Sequence, residues 1–407
     1  MVRLTFDLYD HIIEQLANID IRSIRNCALV CSDFLRLSRR HLFRSITLDS
    51  TKPKYTRRLE RLLNRNPSIV RNIRDVTLEH NINQRNIGPH VLNRLHRVRK
   101  FTLQLCDGTE CDFCGDSQYD WGGLSARHRT YFYSFIRSNT IVHLTLANIQ
   151  NISATFLRCL PYLAVLEVDN VSMLDSPFDR SHCDSDSMGI PKLVKIWSRR
   201  SNLIPLQNLL GDEHSNIMPA VDLTYLEDIG VALDDDPAGM EFLGFVLQNT
   251  ENLKSVTLSA SDECQTTFKG KVASKLNKHS LKTLKTIKMM VMIEDHETDP
   301  YLSFMDELEQ IGGKNVLETL SIEIEAETNC HPTTELSKWA ELSRVLAATD
   351  AFPHLRSVSL KVTLNWCLNT RPDELQARLQ HIGVEVFRSL RENDKVKVVF
   401  DVVVWDV

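Results

Sequence analysis

The run Leu317-Glu318-Thr319-Leu320-Ser321-Ile322 has the pattern of a β-strand with one buried face. Its apolar side chains stand first, fourth and sixth, and Leu320-x-Ile322 has the period of two that sends alternate side chains to opposite faces of a β-strand. The spacing recurs in both directions along the chain. Upstream stand Ile73/Val76/Leu78, Val98/Phe101/Leu103, Ile141/Leu144/Leu146, Leu163/Leu166/Val168, Leu253/Val256/Leu258 and Leu284/Ile287/Met289; downstream stands Leu355/Val358/Leu360. Weaker copies lie near Leu193/Ile196, Leu223/Leu226 and Val396/Val399. Successive starts are 22 to 43 residues apart, several of them near 30. Recurrence at such an interval is the mark of stacked repeats.

Between these strands lie helical patterns: Gly239 to Gln248, Leu302 to Ile311 ending at Gly312-Gly313, Glu335 to Ala347, and a helix begun by Pro372 and running to about Leu390. Glycine after the last apolar position and proline in the first turn are ordinary stop and start signals. Strand, helix, strand at this spacing predicts right-handed crossovers and a parallel sheet. The pattern resembles a leucine-rich repeat, stretched and irregular. The resemblance implies an α/β solenoid over residues 71–407, a horseshoe with a parallel sheet inside and helices outside, and loops inserted near 106–123 and 175–191. Its concave sheet face is the expected target surface, and Glu167, Asp169, Trp197, Arg199, Glu323, Glu325 and Lys361 fall on it. Four acids against two bases in that set, and the charge of the segment that carries them, point either to a target with a basic segment or to charges that only keep this face soluble.

The first residues read differently. Leu8, Ile12, Ile13 and Leu16 recur at helical spacing, so residues 6–17 are expected to form a short amphipathic helix. Asp20 is a natural N-cap for a second, with Ile21, Ile24, Ala28 and Cys31 on one stripe. Ser32 is expected to cap a third, which carries Leu35, Ser38, His41 and Leu42, flanked by Leu37 and Phe43. Three short helices cannot bury a large core alone, so the remaining apolar residues need another surface.

The runs Leu4-Thr5-Phe6-Asp7-Leu8-Tyr9-Asp10-His11-Ile12-Ile13, Cys27-Ala28-Leu29-Val30-Cys31-Ser32-Asp33-Phe34 and Arg39-Arg40-His41-Leu42-Phe43-Arg44-Ser45-Ile46 resemble an F-box, in the form abundant in fungal proteins. Thr5 stands where the family usually has proline, and Phe34 where it usually has tryptophan. The resemblance covers about 43 residues and implies a helical module over 1–48, joined by a helical connector over 49–70 to the repeats. It implies that Leu4, Leu8, Ile12, Ile13, Leu29, Val30, Cys31, Phe34, Leu42 and Phe43 form or support a face for a Skp-type adaptor, and through it a cullin. The chain would then be the target-recognition subunit of an SCF-type ubiquitin ligase, itself without catalysis. The alternative is a repeat scaffold with no link to ubiquitin transfer, in which the three helices cap the solenoid.

Bulk composition agrees with a soluble, ordered chain: 407 residues, 43% hydrophobic, 25% charged, with only 14 Gly and 13 Pro. No run of about 18 apolar residues is present, and MVRLTFDLYDHII lacks the apolar core of a secretory leader. The expected setting is intracellular, cytoplasmic or nuclear, with the ten cysteines reduced. Charge is uneven. Residues 1–105 hold 20 basic and 9 acidic side chains, a balance of +11, and the remainder hold 28 and 44, a balance of −16. The bases are scattered and not interleaved with aromatic residues, which argues against nucleic acid as partner.

Chemical motifs are few. Cys106, Cys111 and Cys114 have the C-x4-C-x2-C spacing of three iron–sulfur ligands, but the next thiol is Cys159, within an apparent helix. A zinc site would need His128 or His96 as a fourth ligand. The glycines around these cysteines point instead to a surface loop with reduced thiols, so no metal and no cofactor are expected. Asp234-Asp235-Asp236-Pro237 lacks the spaced oxygens of a calcium loop. No phosphate-binding glycine loop, HExxH or GxSxG is present, and no nucleophile–base pair is legible.

Overall fold

A computed structural model describes residues 6–83, 89–107, 117–174, 189–201, 203, 221–233, 237–261, 272–293, 301–328, 336–348, 350–366, 372–392 and 394–406. The chain is α/β, and every strand pairing described below is parallel. It divides into two compact units, Met1–Pro191 and Lys192–Val407.

The first unit opens with α1 (Phe6–Ile19), α2 (Ile21–Cys27) and α3 (Ser32–Leu42). Asp20 caps α2 as its sequence predicts: the carboxylate accepts the Arg22 N–H at 2.8 Å and the Ser23 N–H at 3.1 Å. Ser32 does not cap α3. It is the first helical residue, and Cys31 takes the cap position without a side-chain hydrogen bond. The sheet follows at once with β1 (Ser45–Asp49), β2 (Asp75–Asn81), β3 (Lys100–Cys106), β5 (His143–Ser153) and β6 (Val165–Leu174), paired in chain order, while the short β4 (Tyr119–Asp120) joins β5. β1 lies within the stretch that sequence assigned to the helical module, and α4 (Pro53–Arg65) follows it. Its apolar pattern, Phe43-x-x-Ile46-x-Leu48, is another copy of the repeat.

The second unit pairs β7 (Lys195–Arg199), β8 (Asp228–Leu233), β9 (Ser255–Ser261), β10 (Thr286–Ile293), β11 (Thr319–Thr328), β12 (Ser357–Trp366) and β13 (Lys397–Asp406), again in chain order. The expected helices are present as Pro237–Asn249, Tyr301–Ile311, Leu336–Ala347 and Pro372–Val386; the last stops short of Leu390, and Arg388–Arg391 begins a separate turn. Two strand readings are corrected. The Leu223/Leu226 copy is displaced, because the strand uses Leu226, Ile229 and Val231 instead, all buried. Val399 faces outward, 39% exposed, and Phe400 and Val402 take the buried positions of β13.

One face of each sheet is core. In the first unit it carries Ile46, Leu48, Val76, Leu78, Phe101, Leu103, Leu144, Leu146, Leu166 and Val168. Phe135 of α5 (Ala126–Arg137) meets Phe101 with ring centroids 4.9 Å apart. Two asparagines repeat one task. Asn139 accepts the Val98 N–H at 2.8 Å and donates to the Leu95 and Phe135 carbonyls. Asn315 accepts the Leu317 N–H at 3.1 Å and donates to the Ile311 and Ala351 carbonyls. Each ties a helix end to the chain entering a strand, where backbone groups would otherwise be buried unpaired. A second regularity lies at the strand entrances. The carbonyl before one strand accepts two N–H groups from the next, as Arg44 does from Arg74 and Asp75, and Lys285 from Glu318 and Thr319.

Among the described residues no helix is long and apolar enough to cross a membrane.

Candidate functional site

The bundle α1–α3 closes on Ile13, Ile24 and Leu37, with Tyr9, Leu16, Ala17, Cys27, Phe34 and Leu42 packed around them. The Phe34 and Tyr9 rings lie 5.0 Å apart. Arg40 pairs with Asp10 and braces α3 against α1. Its hydrogen bond holds the Asp10 carboxyl below the usual carboxylate range.

So small a core leaves much apolar surface outside. Of the residues expected to meet an adaptor, Ile13, Phe34 and Leu42 belong to the core or its support, and Phe43 is half-buried at the end of α3. Leu8 and Ile12 are one turn apart on α1 and 42% and 37% exposed. Leu29 and Val30, in the turn between α2 and α3, are 86% and 69% exposed, and Cys31 is exposed beside them. Leu4 lies outside the described residues. Ile19, which sequence reading missed, and Ile21, which it placed on the stripe of the second helix, flank the Asp20 cap and are also exposed. Six of the sixteen exposed large apolar side chains among the described residues therefore fall between residues 8 and 30, a concentration that scattered surface hydrophobics do not produce.

The other candidate surface is the open face of each sheet. In the first unit, Thr47, Thr77, Thr102, Thr145 and Glu167 stand in register across five strands. Glu167 accepts a hydrogen bond from Thr145 at 3.0 Å and lies 3.0 Å from Nε2 of His143. Burial opposes ionisation of Glu167, but the His143 contact and the Thr145 hydroxyl outweigh it, and the carboxyl titrates below its ordinary value. Asp169 is half-buried one position higher on the same face.

In the second unit, Trp197 lies across Gly230 of the neighbouring strand, so close that a Cβ on Gly230 would overlap the indole ring. Arg199 is exposed at the end of β7. Glu323 is paired with Lys288 at 3.0 Å and stands opposite Lys361 in register. Glu325 is exposed one pleat further on. Lys195 pairs with Asp228 at 2.7 Å on the same face. The acidic surface expected from the residue list is therefore partly neutralised by bases from neighbouring strands, which a single-strand reading does not see.

Reactive chemistry is sparse. Cys106 is not in a disulfide, and Cys111 and Cys114 lie outside the described residues. Cys159 is disulfide-bonded, a correction to the reading of all ten cysteines as reduced. Spacing alone does not reveal which sulfurs approach within bonding distance. His128, once a candidate ligand, instead meets His80 edge to face at 4.9 Å inside the first unit. His96 is exposed and bonded to the Arg94 carbonyl. Among the described residues no group of three or more His, Cys, Asp or Glu side chains could hold a metal ion. An apolar pocket behind β9 and β10 contains one carboxylate, Glu307, already engaged by the Val272 and Ala273 N–H groups.

No protein-family model matches this chain, and no curated protein is significantly similar to it.

Proposed function

We propose that the chain is the target-recognition subunit of an SCF-type cullin–RING ubiquitin ligase: a non-catalytic receptor with a leucine-rich-repeat-like body behind an F-box-like module. In this reading α1–α3 dock on a Skp-type adaptor, and the open sheet face holds a protein target. The observation that carries it is the exposed Leu29-Val30 pair, with Leu8 and Ile12, on a bundle whose own core is already closed. Two successive aliphatic side chains in a turn gain nothing from water, and a partner that covers them gains about 1.5–3 kcal/mol for each. The contribution to ubiquitin transfer is positional, since a bound target sits near a conjugating enzyme supplied by partners. The setting is intracellular, cytoplasmic or nuclear.

The test is co-purification of a Skp-type adaptor with the intact chain, repeated with Val30→Asp. Retention by the intact chain and loss by the variant support the reading. An intact chain that ignores the adaptor defeats it.

A second reading has one observation in its favour. α3 packs against the turn Pro67–Asn72 and leads directly into β1, the first strand of its sheet. A helical cap on a repeat array outside ubiquitin transfer would be built this way. Adaptor binding separates the two: Val30 faces water in either case, so Val30→Asp leaves the fold intact, and only a docking face loses a partner by it.

A further inference from the structure

We propose that the edge formed by Arg44, Arg74 and Arg99, with Arg97 beside it, docks an acidic protein segment. The inference does not rest on the adaptor reading. It comes from comparing the same structural position in the two units.

The residue before each strand gives up its carbonyl to the next strand's entrance, so these residues stack at the strand spacing of about 4.8 Å. In the second unit the stack reads Glu227, Lys254, Lys285, Glu318, Arg356. It neutralises itself: Lys254 lies 2.7 Å from Glu227, Lys285 lies 2.9 Å from Glu318, and Arg356 is 3.9 Å from the same carboxylate. In the first unit the stack begins Arg44, Arg74, Arg99. Among the described residues its one ion-paired acid is Asp75, 3.4 Å from Arg44. Arg74 donates to the Arg97 backbone carbonyl at 3.1 Å, so the segment that carries Arg97 lies against Arg74. Arg97 and Arg99 are exposed and have no carboxylate partner among the described residues.

Like charges directly across neighbouring strands repel, and the second unit exhibits the remedy the first one lacks. An external anion supplies it. Each arginine offers a planar fork that fits a carboxylate in two parallel hydrogen bonds. The choice of a protein segment over a nucleic acid follows from two features. No exposed aromatic ring stands among residues 71–75 or 97–100, so bases would find nothing to stack on. The strand spacing is also close to the distance of about 5–6 Å between helix residues one turn apart, so an acidic helix presents carboxylates in step with the arginines.

The experiment is fluorescence anisotropy of the full chain with two labelled probes: a helical peptide carrying glutamates one turn apart, and poly(U). The expected result is salt-sensitive binding of the peptide, weakened about tenfold for each reversal in Arg97→Glu and Arg99→Glu. Lys254→Glu, in the neutralised stack, leaves the peptide affinity unchanged. Absence of peptide binding at low salt, an equal loss from Lys254→Glu, or a preference for poly(U) overturns the proposal. A second readout needs no ligand. Relief of repulsion predicts that Arg99→Gln raises the melting temperature of the free chain, and a lowered one overturns the argument.

Discussion

Acid weakens the first unit at a buried histidine. His80 is 1% exposed on the core face of β2, against the rings of His128 at 4.9 Å and Phe132 at 5.7 Å. Neither ring nitrogen has a hydrogen-bond partner. Burial, followed by the charge of His128, lowers its pKa from 6.5 to about 4. The unfolded chain therefore takes up this proton first as pH falls. Stability from a neutral His80 is complete above pH 6.5 and is lost as pH falls from there toward 4. A shift of this size, at about 1.4 kcal/mol per pH unit, corresponds to a loss of about 3 kcal/mol by pH 4. The perturbation is His80→Leu, which keeps an apolar side chain of similar size and removes the titrating ring. The assay is denaturant unfolding of both proteins from pH 7.5 to pH 4, read as their difference, so that groups common to both cancel. The wild type should lose about 3 kcal/mol relative to the variant across that window. At pH 7.5 the variant should be as stable as the wild type or more so, because two unpaired nitrogens are gone. Parallel pH profiles would refute the assignment of His80 as a buried neutral base.

Three further outcomes follow from the packing. Asn315→Ala removes one acceptor and two donors from buried backbone groups and should cost about 2–4 kcal/mol in denaturant unfolding; a change within about 0.5 kcal/mol would contradict the helix-to-strand tie. Gly230→Ala should push the Trp197 indole off the sheet, moving its emission to longer wavelength and costing about 1–3 kcal/mol, and the cost should largely vanish in a Trp197→Ala background. Leu42→Asp should unfold α1–α3, detected as lost helical circular dichroism, because Leu42 packs on Ile13, Ile24 and Leu37 rather than facing outward.

Much of the parallel architecture was legible because its cause is local. A strand buried on one face must alternate, so Leu144/Leu146 or Leu320/Ile322 announce themselves without tertiary context. β1 escaped because Phe43, Ile46 and Leu48 lie where a helical resemblance had already claimed the chain. Leu223/Leu226 misled because an apolar residue before a strand resembles one inside it. For the candidate surfaces the limit was different. Helical periodicity placed Leu8, Ile12 and Ile13 on one stripe, but a bundle this small buries only the side chain aimed at its centre, and Leu8 and Ile12 stay outside. Nor does a residue list reveal pairing. Glu323 reads as acidic until Lys288 of the adjacent strand is beside it. The contrast between the arginine edge and its neutralised counterpart was invisible for the same reason: it exists only once strands separated by 25 residues or more in sequence are laid side by side.

Calorimetric titration of a purified Skp-type adaptor into the intact chain tests whether the apolar surface of α1–α3 is a docking face. The adaptor should bind the wild type. Leu29→Asp and Val30→Asp should each weaken binding at least about tenfold, with melting temperatures unchanged because both side chains already face water. Absence of heat with the wild type, equal affinity for both variants, or binding lost only where the fold is lost would contradict the account.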